Sequence, residues 1–383
     1  MVGLLVPLVL GAVVMAIAMW PTGKITSDAL LTDQARGQIV SIKPCPDDPK
    51  NCARATVRIT DATAGGTGQR VPVDLPKGKL APSFKPGEHI MLGVAMKQPI
   101  AKRYQYVDHD RSLPLLVLGA VFAVAVVALS RWRGVAALGA LVVTGVILTK
   151  FVLPAILKGS DPLWVAVVGG TLIMVVALYM THGVNAQTSV ALAGTIVALA
   201  LTAVLGKLFI EGAKISGLSA ESAGYLESYL GRIDLQGLIV AGLVIASLGV
   251  LDDVTVTQSA AVWELSAANP DATRSELISS GLRIGRAHVA SVVNTLVLAY
   301  AGASLPTLLI FAASAAPASY TVSTEEVAIQ VIGGLVGSLG IIAAVPLTTA
   351  LAALAVGGRS ERATAPQPFD DREYAWRSGG QDA

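Results

Sequence analysis

Apolar runs of about eighteen residues or longer, almost free of charge, follow one another along this chain and leave few folds open to it. A segment of that kind lying in lipid must satisfy its own backbone N–H and C=O groups, and an α-helix does so within itself. A soluble domain has no need of so many such runs. The composition agrees: of 383 residues, 53% are hydrophobic and 14% charged, which reads as a polytopic helical bundle in a lipid bilayer. A formal net charge of +2, with no basic stripe interleaved with aromatics, argues against nucleic acid as a partner.

About eight spans are expected, over residues 1–20, 113–129, 135–157, 163–180, 189–209, 235–251, 289–311 and 327–356. The first could instead be a signal peptide, since Ala16-Ile17-Ala18 resembles a cleavage site. It lacks a basic n-region and runs for about twenty apolar residues, so an uncleaved span is the preferred reading. Between the first and second spans, residues 21–111 change character. GQIVSI, ARATVRIT, QRVPVDL and HIMLGVAM alternate like strands, and CPDDPKN, TAGGTG and KPGEH punctuate them. A small all-β domain, barrel or sandwich, follows. It is either a structural cap or a surface that takes a protein or peptide partner by strand-edge pairing.

Residues 112–357 form the bundle proper, and the Pro/Gly/charge-rich tail 358–383 is expected to be disordered and cytoplasmic. Arginines concentrate at 131–134, at Arg274, Arg283 and Arg286, and in the tail. All fall on one side if both termini are cytoplasmic, as the positive-inside rule requires, which sends the β-domain and the loop 210–234 outside. That loop is polar enough to hold a short surface helix. In an oxidising exterior, Cys45 and Cys52 are expected to form a disulfide. A metal pair is the alternative, but Cys-x6-Cys without nearby histidine is a poor zinc pattern.

The chemistry concentrates in Ala246 to Leu265, ASLGVLDDVTVTQSAAVWEL, where Asp252 and Asp253 interrupt an apolar run. A charged carboxylate near bilayer depth costs at least ~2.5–3.5 kcal/mol, so it faces an interior or a cavity, or becomes protonated. At helical spacing Asp253, Thr257 and Glu264 share one strip, while Asp252, Thr255 and Ser259 line its neighbour. Downstream, Arg283, Arg286 and His288 precede a span carrying Asn294 and Thr295. An antiparallel packing could let an arginine neutralise one carboxylate while the other titrates, the titration then belonging to the pair. The plainer reading puts the aspartates at the cytoplasmic end of a span that began at Leu235. The macrodipole disfavours carboxylates at a helix C-terminus, so the helix is expected to continue to Glu264.

In the last span Gly333, Gly337 and Gly340 offer flat surfaces for close helix approach. Pro346 beside Thr348 and Thr349, and Pro306, are positions for local breaks. No P-loop, H-E-x-x-H or G-x-S-x-G occurs, and the histidines His89, His109, His182 and His288 are scattered. No metal, cofactor or enzymatic activity is expected.

GVLDDVTVTQSAAVWEL, NTLVLAYAGASLPTLLIF and GLVGSLGIIAAVPLTTALAAL resemble the signature segments of the YibE/F family of bacterial multi-pass membrane proteins. The likeness runs from about Arg111 to Gly357 and implies a bacterial plasma-membrane location. At motif level the plan is similar to that of SecD/SecF and RND transporters, in which an intramembrane acid takes part in proton-coupled work. By that analogy Asp252 and Asp253, with Thr257, Glu264, Arg286, Asn294 and Thr295, form a proton or cation site of a transporter or export-accessory protein. The competing expectation is a non-transporting scaffold or sensor that presents its β-domain to a partner.

Overall fold

A computed structural model describes residues 2–22, 33–46, 48, 50–62, 66–79, 81–95, 98–99, 103–218, 233–314 and 317–356. The tail expected from 358 onward lies outside the described residues, as does the surface helix expected in 219–232. The chain divides into two compact units, one over Lys24–Val135 and one over Met1–Gly23 with Ala136–Ala383.

In the first unit, five strands form one antiparallel sheet: β1 (Asp33–Pro44), β2 (Cys52–Ala62), β3 (Arg70–Pro76), β4 (His89–Val94) and β5 (Tyr104–His109), in the order β3-β2-β1-β4-β5. The alternation read from the sequence has a direct cause. Ile39, Val57, Ile59, Val71, Val73, Leu75, Ile90 and Leu92 all point to one face and bury there. Bulges in β1 at Arg36/Gly37 and Ile39/Ser41 add twist, and β3 approaches β5, so the sheet curls into a half-barrel. A disulfide joins Cys45 to Cys52 across the β1–β2 connection, with Cα atoms 5.4 Å apart. The fifth strand, YQYVDH, is additional to the four runs that the alternation marked.

α2 (Ser112–Ile147) follows β5 almost at once. Asp110 accepts a hydrogen bond from the Ser112 N–H at 2.9 Å, and its bonds to Ser112 hold its carboxyl below the usual range. α2 is broken at Arg131, where φ is 54° and ψ is −128°. That conformation belongs to the first central position of a type II′ turn and favours glycine. The break reverses the chain: a Cβ on Gly134 would lie 2.6 Å from the Val126 carbonyl oxygen, whereas in a continuous helix those residues stand about 12 Å apart. Gly134 is required by that close approach.

The second unit holds α1 (Val2–Ala18), the second arm of α2, a π-turn (Leu148–Val152), α3 (Leu153–Leu157), α4 (Pro162–His182), α5 (Ala186–Gly212), α6 (Leu235–Ala268), α7 (Arg274–Ala303), α8 (Leu305–Ala313), α9 (Ala318–Ser323) and α10 (Glu325–Val356). Among the described residues, six helices are long and apolar enough to cross a membrane, the first running from Ser112 to Leu157. α5, α6 and α10 pack against one another at the centre, α4 lies on α6, and α7 lies on α10.

Small residues set these contacts. A Cβ on Gly340 would collide with the Thr202 hydroxyl of α5, and one on Gly337 would lie 2.9 Å from Leu296 of α7. Gly333 accommodates the Tyr300 ring. The three glycines therefore serve two neighbours, Gly340 facing α5 and the other two α7. One boundary departs from expectation. The arginine-bearing segment before residue 289 is helix rather than loop, because Thr273 and Glu276 form a capping box that starts α7 at Arg274. At its other end α7 stops at Ala303, with only Ser304 between it and the Leu305-Pro306 start of α8.

Candidate functional site

α6 begins where the Asp234 carboxylate caps it, accepting from the Gly237 N–H at 2.9 Å. It continues unbroken to Ala268, so Asp252 stands near its midpoint and not at its end. Neighbouring contacts give its height in the bundle. A Cβ on Gly170, near the middle of α4, would meet Leu248 at 3.0 Å and Leu199, the middle of α5, at 3.3 Å. Asp252 is one turn along from Leu248, about 6 Å from that level.

The two aspartates lie on different faces. Asp252 is half-buried, and its Oδ1 is buried with no hydrogen-bond partner among the described residues. Thr255 and Ser259 share its strip and are fully buried. The Thr255 and Thr195 hydroxyls are 2.6 Å apart, and Ser259 donates to the Gln187 carbonyl at 2.9 Å. Asp253, Thr257 and Glu264 are exposed on the other strip. There the Thr257 hydroxyl donates to the Asp253 carbonyl at 2.7 Å.

Arg286, Asn294 and Thr295 are exposed on α7, and Thr295 donates to the Ser291 carbonyl at 3.0 Å. Among the described residues no ion pair joins either aspartate to an arginine. What the fold places here is therefore a half-buried carboxylate without an ion-pair partner among the described residues, one turn along α6 from a hydroxyl pair that joins α5 and α6. Such a group can take up and release a proton, or offer oxygen ligands to a small hard cation.

Gln258 carries interactions that the sequence did not single out, and Thr348 was marked there only as a neighbour of Pro346. The Gln258 side-chain amide donates to the Gly281 carbonyl at 2.8 Å and to the Thr349 hydroxyl at 2.7 Å, tying α6 to α7 and α10. Thr348 is fully buried, its hydroxyl lacks a partner among the described residues, and it fills the space left by Gly194 of α5. The only signal available for Gln258 was an amide inside an apolar run, on the strip adjoining Asp252. The one His/Cys/Asp/Glu cluster of metal-binding size among the described residues is Cys45, Cys52 and Asp74, and the disulfide occupies both of its thiols.

One family model matches, described as YibE/F-like protein and covering residues 118–358, from the first arm of α2 to just past α10. The matched region contains Asp252, Thr195 and Thr255 and leaves the β-domain outside. No curated protein and no solved structure matches.

Proposed function

The chain belongs to the YibE/F-like protein family, and we propose that it is a multi-pass transporter or export-accessory protein of the bacterial plasma membrane, without enzymatic activity, whose working group is Asp252. The observation that carries this reading is the buried, unpartnered carboxylate oxygen of Asp252 near the mid-height of α4, α5 and α6. An intramembrane carboxylate is retained against its insertion cost when it binds something, and proton or cation exchange is the usual reason. Thr195 and Thr255 supply adjoining hydroxyl oxygens.

The arrangement takes eight spans. Ser112–Leu157 is 46 residues long, about 69 Å of helix or twice a hydrocarbon core, and that length with the break at Arg131 supports reading it as two crossings. α1 supplies one more. Arg131, Arg133, Arg274 and the arginines of the tail then share the cytoplasmic side with both termini, and the β-domain lies outside, where it meets cargo or a partner. The exposure of Asp253 and Glu264 favours a second reading, a scaffold whose carboxylates face a partner instead of a path.

The test is proton and sodium flux into proteoliposomes holding a trapped pH dye, under an imposed potassium diffusion potential. The parent protein should conduct one of the two ions. Asp252→Asn should lose that flux with its melting temperature in detergent unchanged. No flux from the parent, or equal flux from the variant, would overturn the proposal.

A further inference from the structure

α6 and α7 are antiparallel neighbours, and the Gln258–Gly281 hydrogen bond at 2.8 Å fixes their relative height. Asp253 and Arg286 lie on opposite sides of that bond in sequence, each about five residues or ~7.5 Å of helix further into the bundle. They therefore stand at one level, an acid on α6 and a base on α7. Both are exposed, and neither has an ion-pair partner among the described residues. Each points about 140° away from the α6–α7 contact, toward opposite flanks of the helix pair. That flank of α7 also carries Arg283 and Asn294, exposed polar side chains unsuited to hydrocarbon.

Neither α1 nor the first arm of α2, from Ser112 to Ser130, contains an ionisable side chain, and among the described residues the same chain supplies neither group with a counter-charge within ion-pair reach. A second copy of the chain does. Rotation about the bilayer normal preserves depth, so the acid flank of one copy meets the basic flank of the next at matched height. We infer that this chain assembles with copies of itself head-to-tail about an axis along the membrane normal, Asp253 of each copy pairing with Arg286 of its neighbour. Because the two flanks point apart, the contact is heterologous and each copy takes two neighbours. The inference uses only the membrane crossing of α6 and α7 and is independent of any transport activity.

The experiment uses the full chain with its native disulfide in place, reconstituted in lipid vesicles. Asp253→Cys/Arg286→Cys, treated with copper phenanthroline, should give a ladder of covalent multimers on non-reducing gels, while each single variant gives dimers at most. Asp253→Arg or Arg286→Asp alone should lower the multimer-to-monomer ratio in detergent about tenfold, a like-charge penalty near 1.4 kcal/mol, and the double reversal should restore it. Monomer as the sole product of the double-cysteine chain overturns the inference, whether its thiols stay free or link internally. Products ending at dimer overturn the head-to-tail contact. The melting temperature of the detergent-solubilised monomer checks folding, and a charge reversal that unfolds the monomer is replaced by Arg286→Gln, for which the same drop is expected and an unchanged ratio counts against the pair.

Discussion

Thr195 and Thr255 show how single side chains hold this bundle. In lipid, apolar burial no longer drives helix association, and packing with interhelical hydrogen bonds takes its place. Their hydroxyls lie 2.6 Å apart across α5 and α6, and each also reaches a carbonyl of its own helix, Ala191 at 3.0 Å and Asp252 at 3.2 Å. Replacing either by valine therefore orphans nothing. A double-mutant cycle of Thr195→Val and Thr255→Val, followed by reversible unfolding in detergent, should return a coupling of about 0.6 kcal/mol and no more than ~1.7 kcal/mol. Zero coupling would mean that the bond adds nothing to stability. The division of Asp252 from Asp253 onto separate strips was legible from about 100° of rotation per residue. Which strip is buried was not, because that depends on where α4 and α5 lie. Gln258 was illegible for the same reason, since its partners, Gly281 and Thr349, are distant in sequence.

Among the elements, the hairpin inside α2 stands on two residues that do opposite things. Arg131 occupies a conformation that suits glycine, while Gly134 lies where only glycine fits against the Val126 backbone. Arg131→Gly should therefore raise the melting temperature or leave it unchanged, with a gain of up to about 1 kcal/mol, the strain relief being partly offset by glycine's unfolded-state entropy. Gly134→Leu should lower it, because backbone atoms cannot step aside. If Arg131→Gly destabilises instead, the guanidinium at that turn matters more than its backbone conformation. The sequence marked this turn by its charges, as a connection between two spans. The start of α7 carries a signal of its own, Thr273 three residues before Glu276, but the arginines that follow mark only a charge concentration ahead of the next span. β5 escaped notice because its six residues run straight into the charged stretch before Ser112.

For the whole molecule, the count of crossings decides which surfaces share a compartment. The hydropathy pattern made the membrane-length helices legible, and the family match bears out the resemblance read from LDDVTVTQ. The sequence expects two crossings in Ser112–Leu157, with spans at 113–129 and 135–157, a single tilted crossing is the alternative, and the two turn on the backbone at one residue, Arg131. The two possibilities differ in parity. With one crossing, the β-domain and Lys158, just past α3, lie on opposite sides of the bilayer. With two, they lie on the same side, and Arg133 lies on the other. Single cysteines placed at Thr67 in the β-domain, at Arg133, at Lys158 and at Asn185 can be probed in intact cells with a membrane-impermeant maleimide, the native cysteines being blocked by their disulfide. The double crossing predicts labelling at residues 67 and 158, and none at 133 and 185 until the cells are opened. Residues 67 and 158 reacting from opposite sides would reduce the crossings between them to one, and Arg131 would then be a kink within a single tilted helix.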